Sequence, residues 1–224
     1  KNAPDLTSIR TFLALPLEPV LPAREIMRRL QKQLPSYRIK WVSAAQFHLT
    51  FFFFGDVDVQ VIPSLIKRLQ NAVSQIPFFT YSLGEPGIFR DRSGPRVLWL
   101  GIVAPAALHE LKKAVDHAVA PLGFRPDSNA FHPHITLGRF LPGQKMTPSL
   151  YNILTETKSH QTSPLYSAKH LILFKSELFP AGPRYTPLTR LDMISNRPIP
   201  ELIMQLLEKY PLNSKKPLWP NKEK

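Results

Sequence analysis

A short pattern that occurs twice constrains this chain more than any other feature of its sequence. His48-Leu49-Thr50-Phe51 and His134-Ile135-Thr136-Leu137 are both His-x-Thr followed by an apolar residue, and the two histidines stand 86 positions apart. The apolar runs that open the stretches containing them begin at Ile9 and Val97, 88 positions apart. Two matching offsets indicate an internal duplication. Solenoids use shorter units and at least three of them, so two copies of a strand-helix-strand module predict a pseudo-twofold, two-lobed α/β protein with a cleft between its lobes.

Hydrophobic periodicity fills in the modules. Ile9 to Leu17 reads as a strand closed by Pro16 and Pro19, Ala23 to Leu34 as a helix, and Phe47 to Phe54 as a strand that ends in a turn at Gly55 and Asp56. Val59 to Gln75 carries Ile62, Leu65, Ile66, Leu69 and Val73 at helical spacing. Strands follow over Phe78 to Phe89 and Val97 to Val103 around a turn at Arg90 to Arg96, then a helix over Pro105 to Ala120 and a strand over Phe131 to Phe140. Thr147 to Lys158 reads as a helix, Tyr166 to Lys175 as one strand, and a short last strand ends near Leu191. The catalytic unit is therefore expected over 1–191, with an accessory segment over 192–224: one amphipathic helix at Pro200 to Lys209 and a Pro- and Lys-rich tail.

Composition narrows the partners. A chain of 224 residues, 43% hydrophobic, has the material for one large core, and a formal net charge of +13 attracts polyanions, nucleic acid first among them. The absence of cysteine excludes disulfides, thiolate metal sites and a cysteine nucleophile. No apolar run approaches the ~20 residues that cross a bilayer, and Lys1 to Thr11 lacks a signal-peptide core, so a cytoplasmic monomer without membrane contact is the expectation.

On a strand, side chains alternate, so His48 and Thr50 share one face, as do His134 and Thr136. One such motif is uninformative, because a strand histidine is usually a satisfied core group. Two at equivalent positions of a repeat point to a site. Two imidazoles flanking one phosphorus suit in-line displacement, one neutral as general base and one protonated as general acid, while the hydroxyls hydrogen-bond the non-bridging oxygens. A catalytic zinc commonly takes three protein ligands, and no further histidine or acid stands at ligand spacing; His132, separated from His134 by Pro133, reads as structural. No metal or other cofactor is expected.

At these residues the chain resembles the two-histidine phosphoesterase superfamily and, within it, the RNA 2′,3′-cyclic phosphodiesterase family, also called 2′-5′ RNA ligase. The likeness spans most of Ile9 to Leu191 and includes RTFLAL at Arg10 to Leu15, RVLWLGI at Arg96 to Ile102, HPHITLGRF at His132 to Phe140 and LFKSELFPAGPRYTPL at Leu173 to Leu188. It implies an α+β fold of two antiparallel sheets flanked by helices, with the site in the cleft between lobes. It also implies hydrolysis of a ribose 2′,3′-cyclic phosphate to a 2′-phosphate, 2′-5′ ligation being the reverse. Carried over, His48 is the acid toward the departing 3′ oxygen, His134 the base on water, and Thr50 and Thr136 the phosphate ligands, with the acid and base roles interchangeable at this stage.

Arg139 matches an arginine that commonly follows the second motif, where a guanidinium pairs with phosphate bidentately; an ordinary surface arginine is the alternative. The chain departs from the family at Phe52, where relatives often carry Lys or Arg. Simple alternation puts Phe52 on the face of His48, a position for stacking on a base, against the alternative of a core phenylalanine in the FFFF run. Three substrates stay open on the sequence: an RNA end with a cyclic phosphate, a small cyclic nucleotide, and a 2′-5′ oligonucleotide. A non-catalytic RNA-binding module is the reading from another class, disfavoured because both histidines and both threonines are present.

Overall fold

The computed structural model describes residues 7–127, 130–158, 164–180 and 182–194. The helix expected at Pro200 to Lys209 lies outside them. Among the described residues nine strands and four helices run in the order β1 (Ser8–Pro16), α1 (Leu21–Gln33), β2 (Ile39–Trp41), β3 (His48–Asp58), α2 (Ile62–Val73), β4 (Phe79–Asp91), β5 (Gly94–Val103), α3 (Ala106–Val119), β6 (His134–Phe140), α4 (Pro148–Lys158), β7 (Tyr166–Ala168), β8 (His170–Phe179) and β9 (Gly182–Asp192). Pro22 and Pro63 sit in the first turns of α1 and α2, where a missing N–H leaves no hydrogen bond unmade.

The mixed α/β class is as expected, but the strands do not form two separate sheets. They join in one antiparallel path, β7-β4-β5-β6-β3-β1-β8-β9, with β2 added beside β6. The two halves meet where β3 and β6 pair through one registered couple, Leu49 and Ile135, the residues that follow the two histidines. Past this point the strands diverge: β6 continues against β2, from Trp41↔Gly138 to Ile39↔Phe140. The narrow junction leaves both strand openings at the edge of a cleft.

Two sequence expectations fail for local reasons. The strand beginning at His48 does not turn at Gly55 and Asp56 but continues to Asp58, because β1 pairs with it through two bulges. Thr50 faces Ala14 while Phe52 faces Leu13, leaving Phe51 as an extra residue; Phe53 faces Phe12 while Gly55 faces Thr11, leaving Phe54 as another. Gly55, at φ +73°, supplies the backbone conformation for the second bulge. The run Tyr166 to Lys175 is likewise not one strand. It breaks at Lys169, whose carbonyl accepts the Met193 N–H, so that β7 pairs with β4 and β8 with β1 and β9.

The helices cover a continuous core. Leu65, Leu69 and Val73 of α2, Leu108, Leu111 and Val115 of α3, and Ala23, Ile26 and Leu30 of α1 are buried together with Leu13, Leu49, Leu98, Ile135 and Leu173 of the strands. Each such leucine contributes roughly 1.5–3 kcal/mol by leaving water, so the sheet that carries the histidines is held from its outer side. Among the described residues no helix is long and apolar enough to cross a membrane.

Candidate active site

His48 and His134 are the first residues of β3 and β6, and both are held in the same way. The His48 Nδ1–H donates to the Gln46 carbonyl at 2.7 Å, and the His134 Nδ1–H donates to the His132 carbonyl, also at 2.7 Å. A carbonyl accepts only, so each neutral ring carries its proton on Nδ1 and keeps its lone pair on Nε2. The internal repeat thus extends to tautomer and ring orientation. Sequence alternation holds through this stretch: Leu49, Phe51, Ile135 and Leu137 are buried, while His48, Thr50, His134 and Thr136 are partly open.

A single cleft of about 1370 Å³ is lined by His48, Thr50, His134, Thr136, Arg139 and Tyr185. All four motif residues expected in the site therefore share one cavity. Arg139 is exposed on the rim, close enough for its charge to act on both histidines and on Tyr185. Burial is the main influence on both imidazoles and lowers both below the usual histidine range. The carbonyl bond opposes this at each, and nearby positive charge adds to it: His134 and Arg139 for His48, His132 and Arg139 for His134. The Tyr185 phenol is raised by burial, against the effect of Arg139.

The aromatic surroundings are where the two halves differ. The His48 ring packs against Phe12 at 5.1 Å and meets Tyr185 edge-on at 5.5 Å. The His134 ring meets Phe89 edge-on at 4.9 Å, with Trp99 at 6.3 Å and His132 at 6.4 Å. Trp99 needs Gly87, since a Cβ there would fall 2.2 Å from the indole.

Phe52 is where alternation misleads. The bulge at Phe51 reverses the phase, so Phe52 is 5% exposed, stacked on Phe54 at 4.7 Å with the Lys112 ammonium 5.2 Å above it. Phe53 takes the open position, 60% exposed, and its ring lies 5.5 Å from Phe12. Both line the cleft, but Phe53 offers the larger free surface. Sequence reasoning also missed Phe12, Phe89, Trp99 and Gln46 as neighbours of the imidazoles. Phe12, Trp99 and Tyr185 had a signal, inside RTFLAL, RVLWLGI and LFKSELFPAGPRYTPL, whereas Phe89 and Gln46 had none. Among the described residues no three His, Cys, Asp or Glu side chains converge into a metal site.

The chain as a whole is similar to known proteins. Residues 18–177 match the 2'-5' RNA ligase superfamily. The RNA 2',3'-cyclic phosphodiesterase of Methanothermobacter thermautotrophicus is 30% identical over 182 residues, covering 80% of this chain and 96% of that one. The protein of the same name from Thermotoga maritima is 31% identical over 182 residues, 80% of this chain and 93% of its own. Among solved structures, E. coli LigT complexed with 3'-AMP superposes with a TM-score of 0.66 at 28% identity, over 83% of this chain and 98% of that one. With the family model matching well over half of its length, this chain belongs to the 2'-5' RNA ligase superfamily.

Proposed function

We propose that the protein hydrolyses the 2′,3′-cyclic phosphate at an RNA end to a 2′-phosphate, using His48 and His134 as acid and base without a metal ion. The observation that carries this is the pair of strand-opening histidines in one cleft, each with Nδ1–H committed to the carbonyl two residues before it and Nε2 left for proton transfer. In the step, a water oxygen bonds to phosphorus as His134 takes its proton. The bond from phosphorus to the 3′ oxygen breaks as His48 protonates that oxygen. Thr50, Thr136 and Arg139 donate to the non-bridging oxygens, where charge grows. Ligation through a 2′-5′ linkage is not the reversal of this step but the same ring opening with a ribose 5′-hydroxyl in place of water: its oxygen bonds to phosphorus as His134 takes its proton, and the bond to the 3′ oxygen breaks as His48 protonates it.

Burial lowers both imidazoles and so favours the neutral ring at each, which suits a base better than an acid. The bound phosphate supplies the missing condition, since its negative charge favours imidazolium and draws a proton onto one ring. Size favours an RNA end over a mononucleotide: about 1370 Å³ exceeds the ~300–1,000 Å³ of ordinary small-molecule pockets. The net charge of +13 favours the same substrate. In this reading the halves on either side of the β3–β6 junction act as pseudo-twofold lobes of a monomer, and the open Phe53 ring, in place of Phe52, stacks on a base. The test is hydrolysis of a short RNA bearing a terminal 2′,3′-cyclic phosphate, in EDTA, by the wild type and by His48→Ala and His134→Ala. The expected result is a 2′-phosphate product and a loss of ~10² or more in each variant. Turnover only on addition of a divalent ion would overturn the metal-free mechanism.

A further inference from the structure

Gln46 makes two contacts that join different parts of the site. Its carbonyl accepts the His48 Nδ1–H at 2.7 Å, and its side-chain Nε2 donates to the Pro183 carbonyl at 2.8 Å, 137 residues away in sequence. Pro183 is the second residue of β9, and the strand leads directly to Tyr185, whose ring edge packs on His48 at 5.5 Å. Gln46 therefore closes a loop: strand opening, imidazole, tyrosine, hairpin and back to the strand opening. The hairpin also brings Arg184 to the cleft, its guanidinium 5.1 Å from the centre of the Phe179 ring. At the equivalent place in the other half, His132 accepts from His134 through its carbonyl but turns its ring into the Trp99 and Phe89 cluster, at 4.7 Å and 5.5 Å. The link to a distant hairpin is thus a feature of the His48 half.

We propose that Gln46 is a positioning residue that latches the β8–β9 hairpin onto the His48 strand, holding Tyr185 against the imidazole and the hairpin wall against the bound nucleotide. The part concerning the nucleotide rests on the phosphodiesterase reading; the latch itself does not. Without the side-chain bond the hairpin is released from β3 and Tyr185 withdraws, while the backbone bond from His48 to the Gln46 carbonyl is retained. Water then reaches the imidazole and the burial that lowers its pKa is relieved. The charges acting on His48 are those of His134 and Arg139, both on β6, and Tyr185 on β9 is the ionisable group packed on its ring; the latch leaves the β6 pair in place.

The experiment is an NMR titration of the His48 and His134 ring Cε1–H signals in the full-length wild type, in Gln46→Met, which keeps side-chain length without a donor, and in Tyr185→Ala. His48 is expected to titrate at higher pH in both variants, and in a Gln46→Met, Tyr185→Ala double variant no further than in either single one, while His134 is unchanged and serves as the internal control. On the cyclic-phosphate RNA, Gln46→Met is expected to lose about tenfold in kcat/KM, the value of one hydrogen bond at ~1–1.5 kcal/mol. A His48 titration identical in Gln46→Met and wild type overturns the latch. Absence of turnover in the wild type alongside a shifted His48 titration would leave the latch standing and remove the phosphodiesterase reading.

Discussion

The two histidines are alike in what holds them and different in what covers them. Each opens a strand, each gives its Nδ1–H to the carbonyl two residues earlier at 2.7 Å, and each precedes a threonine on the open face. Yet His48 is covered by Phe12 and by a tyrosine from a distant hairpin, whereas His134 is covered by Phe89 and Trp99 of the adjoining hairpin and has a second histidine beside it. The backbone therefore holds the two rings alike and the side-chain packing sets them apart. In the proposed mechanism the acid and the base need different environments, and packing is the level at which the two rings differ.

The largest test of that difference is at Gly87. Gly87→Val places branched carbons where the Trp99 indole lies, so the indole must move off the cluster around His134. The expected cost is about 1–3 kcal/mol of stability, measured by chemical denaturation. Activity should fall through the His134 half, with the His48 NMR signals left in place. An equal disturbance of both rings would mean the halves are mechanically coupled.

A smaller effect is expected at the hydroxyls. Thr50→Val and Thr136→Val remove one donor each from the cleft at nearly constant volume, and each should lower kcat by about tenfold while leaving the fold intact, as one hydrogen bond of ~1.5 kcal/mol to charged oxygen implies. Unequal losses would show toward which half the phosphate leans in the transition state.

The gentlest test is pH. Both imidazoles titrate below their ordinary value because burial disfavours the charged ring. Activity needs one ring protonated, so the kcat/KM profile, which reports the free enzyme, should peak on the acid side of about 6.5. The kcat profile should peak at higher pH, since bound phosphate favours imidazolium. Stability should follow the opposite sign: the unfolded chain binds these protons more readily, so the contribution is complete above the unfolded pKa of about 6.5 and declines as pH falls below it.

Much of this protein was determined by its sequence alone, for reasons that are local. The strand period of two forces His48 with Thr50 and His134 with Thr136 onto one face wherever the strands lie, and the repeated motif stands at the opening of β3 and of β6. The helices α1 to α3 followed from apolar spacing, because a helix packed on a sheet must carry a stripe to bury. Tertiary structure decided what depends on a partner strand. Which residue of the FFFF run opens toward the cleft was set by two bulges, and a bulge is a mismatch between β1 and β3 that neither strand encodes by itself. The division of Tyr166 to Lys175 into strands serving β4 and β1 was set by where those strands lay. The Gln46 contact with Pro183 and the packing of Tyr185 on His48 join residues 137 positions apart, and only the folded sheet brings them within reach. Periodicity along one strand is written in the chain; register between strands is settled when they pair, because it is the bonds across the sheet that select it.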